Sequence, residues 1–193
     1  MSVDADVVLA SGSPRRLELL RRIGVEPVVR PADIDETPHA GETPAETVSR
    51  LARTKARTVE RTPGELVIAA DTEVVLRDGV LGKPADASGA AAMLRSLSGR
   101  SHRVVTGVHL VCGDEEAAAV EETVVHVREL TEAEIDAYVA TGEPFGKAGA
   151  YAIQGAGGML VERIEGSDTN VIGLPLTTVV RLAGEVGVTL LPR

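Results

Sequence analysis

Val7-Val8-Leu9-Ala10-Ser11-Gly12-Ser13-Pro14-Arg15-Arg16 is the stretch on which the fold turns. A run of apolar residues this short reads as a buried strand spanning 5–10. It passes directly into small residues and then into a proline, which suits the first turn of a helix because its missing N–H is not needed there. Strand, tight junction, helix is the signature of an α/β chain. A helix opening after Ser13 directs unpaired backbone N–H groups toward the junction, where an anion can be held. Arg15 and Arg16 add planar cations whose donors match phosphate oxygens. The same residues also fit an ordinary capped helix with two solvated arginines.

Outward from this junction the pattern alternates. Residues 14–23 carry Leu17, Leu20 and Ile23 at helical spacing, Gly24 ends that helix, and Val25–Arg30 reads as extended. After the polar loop Asp33-Ile34-Asp35-Glu36-Thr37-Pro38, Thr43-Pro44-Ala45-Glu46 is a capping box that opens a second helix, with Val48, Leu51, Ala52 and Val59 on its apolar side. Leu66–Ala70 is a continuous apolar run, as expected of an interior strand. Arg77-Asp78-Gly79 between Val74–Leu76 and Val80–Leu81 signals a hairpin. A helix follows over 86–97 with Met93, Leu94 and Leu97 inward. Two long extended segments cover 102–112 and 117–128. Thr131–Glu134 is a second capping box, opening a helix with Ile135, Tyr138 and Val139 on one face. The stretch 147–158 is glycine-rich and turn-prone, and a last helix covers 175–186. Long hairpins interrupting the strand–helix order predict a mixed sheet with helices on its faces. There is no repeat or long linker, so one domain over 1–193 is expected.

Composition narrows the function classes. The chain has 193 residues, 44% hydrophobic and 25% charged, within the range of a soluble globular protein. Aromatic residues are only 2%, with no Trp, which leaves the core to Val, Leu, Ile and Ala and argues against base-stacking platforms for single-stranded nucleic acid. A formal charge of −9 disfavours nucleic acid polymers and anionic membrane surfaces. An anionic ligand would therefore need cations gathered locally. The lone Cys112 lies in an apolar run and reads as a buried, inert thiol. The opening residues show neither a basic leader nor a long apolar segment, so a reducing cytoplasm is the expected compartment.

Several residues could carry chemistry. Asp71-Thr72 follows the apolar strand at its carboxyl end, where open α/β sheets bind ligands and where an acid can hold a divalent cation or orient water. Lys55 falls on the apolar stripe of the second helix, seven residues after Val48. An inward lysine needs an anionic partner or a wet cleft, unless it snorkels to the surface. Gly82-Lys83-Pro84 places a further lysine after the hairpin, without the hydroxyl residue of a Walker motif. Glu36 and its acidic neighbours could ligate a metal, and the Gln154 amide could read a base edge. The four histidines show no metal spacing and no triad pattern.

The runs LASGSPRRLELL (9–20), DIDE (33–36), RLARTKA (50–56), AADTEVV (69–75), LGKP (81–84), LSGRSHRVVTGV (97–108) and YAIQGAGGMLVERIEGSDTNVIGLPL (151–176) stand in one order along nearly the whole chain. Together they resemble the Maf family of nucleoside triphosphate pyrophosphatases. The resemblance implies a strongly twisted mixed sheet like that of inosine triphosphate pyrophosphatases, with a cleft between two lobes. It implies hydrolysis between the α- and β-phosphates with Mg²⁺ or Mn²⁺, and a homodimer. It makes Asp71 the proton acceptor, and Glu36 and Asp71 the metal ligands. Ser11, Arg15, Arg16, Lys55 and Lys83 would face the phosphates. Arg15, Thr72 and Gln154 look like the trio typical of members preferring dTTP and UTP. Two other readings stand beside it. One is a non-catalytic nucleotide sensor linked to cell division. The other is a phosphatase releasing orthophosphate, on the strength of Asp4-Ala5-Asp6-Val7-Val8, although only Met1-Ser2-Val3 precede its first aspartate.

Overall fold

The computed structural model describes residues 5–77 and 79–190, so Asp4 of the phosphatase-like pattern and Asp78 of the hairpin turn lie outside the described residues. Seven strands hydrogen-bond in the order β2-β1-β3-β5-β6-β7, with β4 on β3. These are β1 (Val7–Leu9), β2 (Val28–Val29), β3 (Leu66–Leu76), β4 (Gly79–Leu81), β5 (Ser101–Cys112), β6 (Glu115–Val127) and β7 (Val161–Glu165). The sheet is mixed as expected: β1 runs parallel to β2 and β3, while β3–β4 and β6–β7 are antiparallel. The helices are α1 (Pro14–Arg22), α2 (Pro44–Thr58), α3 (Ala87–Leu97), α4 (Glu132–Ala140), α5 (Asp168–Ile172) and α6 (Leu176–Glu185). Both capping boxes form, Thr43 with Glu46 and Thr131 with Glu134.

The chain divides into two compact units. The first comprises residues up to 72, 106–121 and from 173 onward. Its apolar centre joins Val8 of β1 and Ala10 just after it, Ala56 of α2 and Val59 at its end, Val67 and Ala69 of β3, and Val111 of β5. The small residues let α2 lie very close to β5. A Cβ on Gly107 would stand 2.3 Å from the Val48 carbonyl oxygen. That approach fixes the height of α2 and therefore of Lys55, two turns further on. Bidentate bonds of 2.8 Å from Arg30 to Glu65 tie the residue after β2 to the start of β3.

The second unit comprises 73–105 and 122–172. Leu94 and Leu97 of α3, Ile135 and Tyr138 of α4, Val125 and Val127 of β6, Tyr151 and Leu160 pack together in its core. The glycine-rich stretch forms two short 3₁₀ turns at 148–150 and 156–160. His102 is buried and stacks edge-on against Tyr151, with Nε2 2.8 Å from the phenolic oxygen.

Five local readings need correction. The strand that opens at Leu66 does not end at Ala70: it continues to Leu76, where pairing with β4 carries the ladder on, so Asp71 and Thr72 lie within β3 and not at its carboxyl end. In α1 the fully buried leucines are Leu19 and Leu20, while Leu17 and Ile23 are half-buried, because Arg16 takes an inward place. Cys112 ends β5 half-buried, not enclosed. Of the extended stretch 25–30, only Val28 and Val29 pair. Strand β7 and helix α5 carry no sequence signal: β7 reads Val-Glu-Arg-Ile-Glu and is nowhere fully buried, and α5 has only five residues.

Gly107→Ala should therefore destabilise the protein by about 1–3 kcal/mol or more, because a methyl there meets backbone that cannot rotate away. A thermal melt checks this, and an unchanged midpoint would contradict the packing. Burial lowers the pKa of His102 from 6.5 to about 4, with His126 adding to the effect. The fold holds this histidine neutral while the unfolded chain protonates it first. Stability should fall as pH drops from about 6.5 to about 4, by on the order of 3 kcal/mol from this group. His102→Gln should show a shallower decline of melting temperature across that interval.

Candidate active site

Strand β3 leaves the core of the first unit at Asp71, whose carboxylate is partly exposed. Across from it, Lys55 projects from the inward face of α2, only 6% exposed. Its Nζ lies 2.6 Å from Asp71 Oδ1 and 2.6 Å from Glu36 Oε1. Of the two readings of Lys55, the partnered one is correct. The side chain of Asp71 is 13% exposed and that of Glu36 58%, so the cluster is dry at its base and open at one side. Removing one charge from such a pair leaves the other uncompensated, at a cost of about 3–5 kcal/mol when the pair is buried.

Arg16 does something different from what its place beside Arg15 suggests. The side chain turns into the unit, donating from Nε to the Gly173 carbonyl (2.8 Å), from one terminal nitrogen to Ser11 Oγ (3.0 Å) and from the other to Thr72 Oγ1 (3.1 Å). Burial draws its pKa below the ordinary value, with Asp71 and Glu36 opposing and Arg15 reinforcing the shift. Ser11 Oγ also accepts from Ser13 N–H at 3.2 Å. Thr72 Oγ1 lies 3.0 Å from Thr106 Oγ1 and 3.4 Å from the Gly173 carbonyl. Ser11, Arg16 and Thr72 thus form an internal hydrogen-bonded frame behind Asp71, completed by Thr106 and Gly173. Sequence reasoning missed those last two, and no local pattern reveals a pairing 157 residues apart such as Arg16 with Gly173.

Arg15 points elsewhere. It is half-buried at the opening of α1, and no hydrogen bond or ion pair engages its guanidinium among the described residues. Burial lowers its pKa too. A partly desolvated arginine without an acid beside it is a ready anion partner. In the second unit, Lys83 is exposed between β4 and α3, where the Gly82 carbonyl accepts from Gly149 N–H at 3.1 Å and Pro84 is buried. Gln154 is exposed on the turn between the two 3₁₀ segments.

For a metal, the pair Glu36 and Asp71 is the donor set to test. Their oxygens converge on one cationic nitrogen, so the spot already accommodates positive charge between two carboxylates. Among the described residues no larger cluster of His, Cys, Asp and Glu is suited to a metal ion. Two carboxylates fit Mg²⁺, which is commonly held by one or two acids with waters and substrate phosphates. The histidines contribute no ligand, though one forms a row that sequence reasoning missed. Ser101 Oγ lies 2.7 Å from His126 Nδ1, and His126 Nε2 lies 2.9 Å from Glu165 Oε1. Glu165 is shared with Arg163 at 2.5 Å, and the row is a cross-strand ladder on the sheet surface.

Residues 6–186 match the family model described as Maf, Maf-like protein. The chain is similar to the dTTP/UTP pyrophosphatase of Symbiobacterium thermophilum, 52% identical over 182 residues, covering 94% of each chain. It is also similar to the dTTP/UTP pyrophosphatase of Myxococcus xanthus, 54% identical over 185 residues, covering 95% of this chain and 94% of the other. Among solved structures it is similar to a HAM1 protein from Coxiella burnetii, with a TM-score of 0.44 and 20% identity, over 64% of this chain and 73% of that one.

Arg16→Lys should lower stability by about 2 kcal/mol or more, since an ammonium cannot span three acceptors fixed in a plane and hydrogen bonds to charged groups are worth about 1.5–3 kcal/mol each. Arg15→Lys should leave the melting temperature nearly unchanged. Equal melting temperatures for the two variants would contradict the division between them.

Proposed function

The chain belongs to the Maf family, and on that premise we propose that it is a nucleoside triphosphate pyrophosphatase, hydrolysing dTTP and UTP to the monophosphate and pyrophosphate. One observation carries the reading: the buried Lys55 ammonium bridges Asp71, midway along β3, and Glu36. That is a polar, charge-dense spot built into an otherwise apolar helix face, which a purely structural role would not require. The names of the relatives supply the substrate class. We take the span 1–193 as one Maf-like domain. A cytoplasmic setting fits a nucleotide substrate and a chain with a single cysteine. Among the described residues no helix is long and apolar enough to cross a membrane.

In this reading Asp71 orients a water molecule toward the α-phosphorus and accepts its proton as the new P–O bond forms. The bond from the α-phosphorus to the bridging oxygen breaks, and pyrophosphate departs with that oxygen. Lys55, Arg15 and Lys83 neutralise the triphosphate and the charge that grows on the leaving group. Glu36 and Asp71 would hold Mg²⁺ or Mn²⁺, which when bound supplies polarisation of the phosphoryl oxygens and a more acidic water. Ser11 and Arg16 act from behind, through the frame that sets β3 at Thr72, next to Asp71. Thr72 joins them there, because its hydroxyl is already bonded to Arg16 and Thr106. Gln154 then carries base selection. A base with the wrong edge leaves its amide unpaired, which discriminates more strongly than shape alone.

Incubation with a nucleotide panel and Mg²⁺ or Mn²⁺ should release pyrophosphate, fastest from dTTP and UTP. Orthophosphate as the product would overturn the proposal. Asp71→Asn, which leaves Glu36 to pair with Lys55, should remain folded and bind nucleotide, at reduced stability, while turnover falls by about 10²–10⁴-fold, the usual contribution of a positioned base. Near-normal turnover would remove Asp71 from the role.

A further inference from the structure

The glycine-rich turn that presents Gln154 is gripped from both sides by two residues to which the proposed reaction assigns no task. Tyr138, on α4, is fully buried; its hydroxyl donates to Glu143 Oε1 at 2.7 Å and accepts from Ala152 N–H at 3.2 Å. Glu143 Oε1 also accepts from Gly157 N–H at 2.8 Å, and Oε2 accepts from Ala156 N–H at 3.0 Å. The backbone is thus tied at residue 152 on one flank of Gln154 and at 156 and 157 on the other. Both ties end in one phenol–carboxylate pair. The grip is tight. A Cβ on Gly155 would stand 2.1 Å from Glu143 Oε2, and one on Gly157 would stand 2.6 Å from the Tyr138 hydroxyl. Burial alone would raise the pKa of Glu143, but the hydrogen bonds from Tyr138, Gly157 and Ala156 outweigh it, and the carboxyl sits below its ordinary value.

We propose that Glu143 and Tyr138 are positioning residues for nucleotide selectivity, holding the 152–157 turn so that the Gln154 amide meets the base in one orientation. The inference rests on the reading that Gln154 recognises the base. Its physical basis is that an exposed glutamine on a free turn could rotate to suit several bases. Discrimination by hydrogen bonding requires a fixed donor and acceptor. A carboxylate is acceptor-only at both oxygens and satisfies the phenol and two backbone donors together. A glutamine there has a single acceptor oxygen, so in either orientation its NH₂ group faces a donor.

The test measures pyrophosphate release from UTP and from CTP, far below the melting temperature of each variant. Glu143→Gln and Tyr138→Phe should each lower the UTP-to-CTP ratio of kcat/KM by about five-fold or more, equivalent to about 1 kcal/mol of coupling. Added to Gln154→Ala, they should lower it no further. Tyr138→Phe keeps the ring in the core and serves if Glu143→Gln fails to fold. An unchanged ratio in both clamp variants, where Gln154→Ala collapses it, overturns the inference and leaves base recognition standing. Losses that add to that of Gln154→Ala also overturn it. If Gln154→Ala itself leaves the ratio intact, base recognition by Gln154 fails and the clamp's role falls with it.

Discussion

A lysine ammonium held in a nearly dry setting between two carboxylates is the interaction around which the first unit is organised. Burying one such charge without partners would cost several kcal/mol, so the site requires Asp71 within β3 and Glu36 on its loop. It also requires α2 at a fixed height. The contact between Gly107 and the Val48 backbone provides that, since the helix can approach β5 only where no side chain intervenes. Packing and charge are therefore one constraint: displacing α2 would move the ammonium away from its acids.

The two arginines that open α1 show how adjacent, identical side chains divide labour. One guanidinium is spent inside, where Ser11, Thr72 and Gly173 use three of its nitrogens. Its neighbour remains half-buried with its donors unshared among the described residues. The inner arginine gives the middle of β3 a rigid backing at Thr72. The outer one supplies the anion partner. Exchanging the two roles would need a reversal of the helix phase, because consecutive residues face about 100° apart.

Much of the fold was legible in the residues. The apolar run before Ser11, the two capping boxes and the hydrophobic strand ahead of Asp71 each combine a local pattern with a local cause. Lys55 was legible as an anomaly on an apolar stripe, although the identity of its partners was not. What stayed hidden depends on distant pairing. Arg16 looks like a surface cation until Gly173 is brought beside it, and Thr106 looks like any strand threonine. Strand β7 is charged and poorly covered, so it lacks the alternation that marks a half-buried strand. Glu143 and Tyr138 gave no sign of their joint task. A carboxylate that binds backbone donors leaves no motif, and the glycine-rich stretch 147–158 reads only as turn-prone.

The scarcity of aromatic residues has a practical side. The chain has two tyrosines and no tryptophan, and Tyr138 and Tyr151 both lie in the core of the second unit. Intrinsic ultraviolet emission therefore arises from that half of the molecule alone. Spectroscopic unfolding followed at these fluorophores is blind to the half that contains Asp71 and Lys55. With one phenol donating to a carboxylate, a known route for quenching the excited state, loosening of the Gln154 turn would register as a gain in brightness before any global transition.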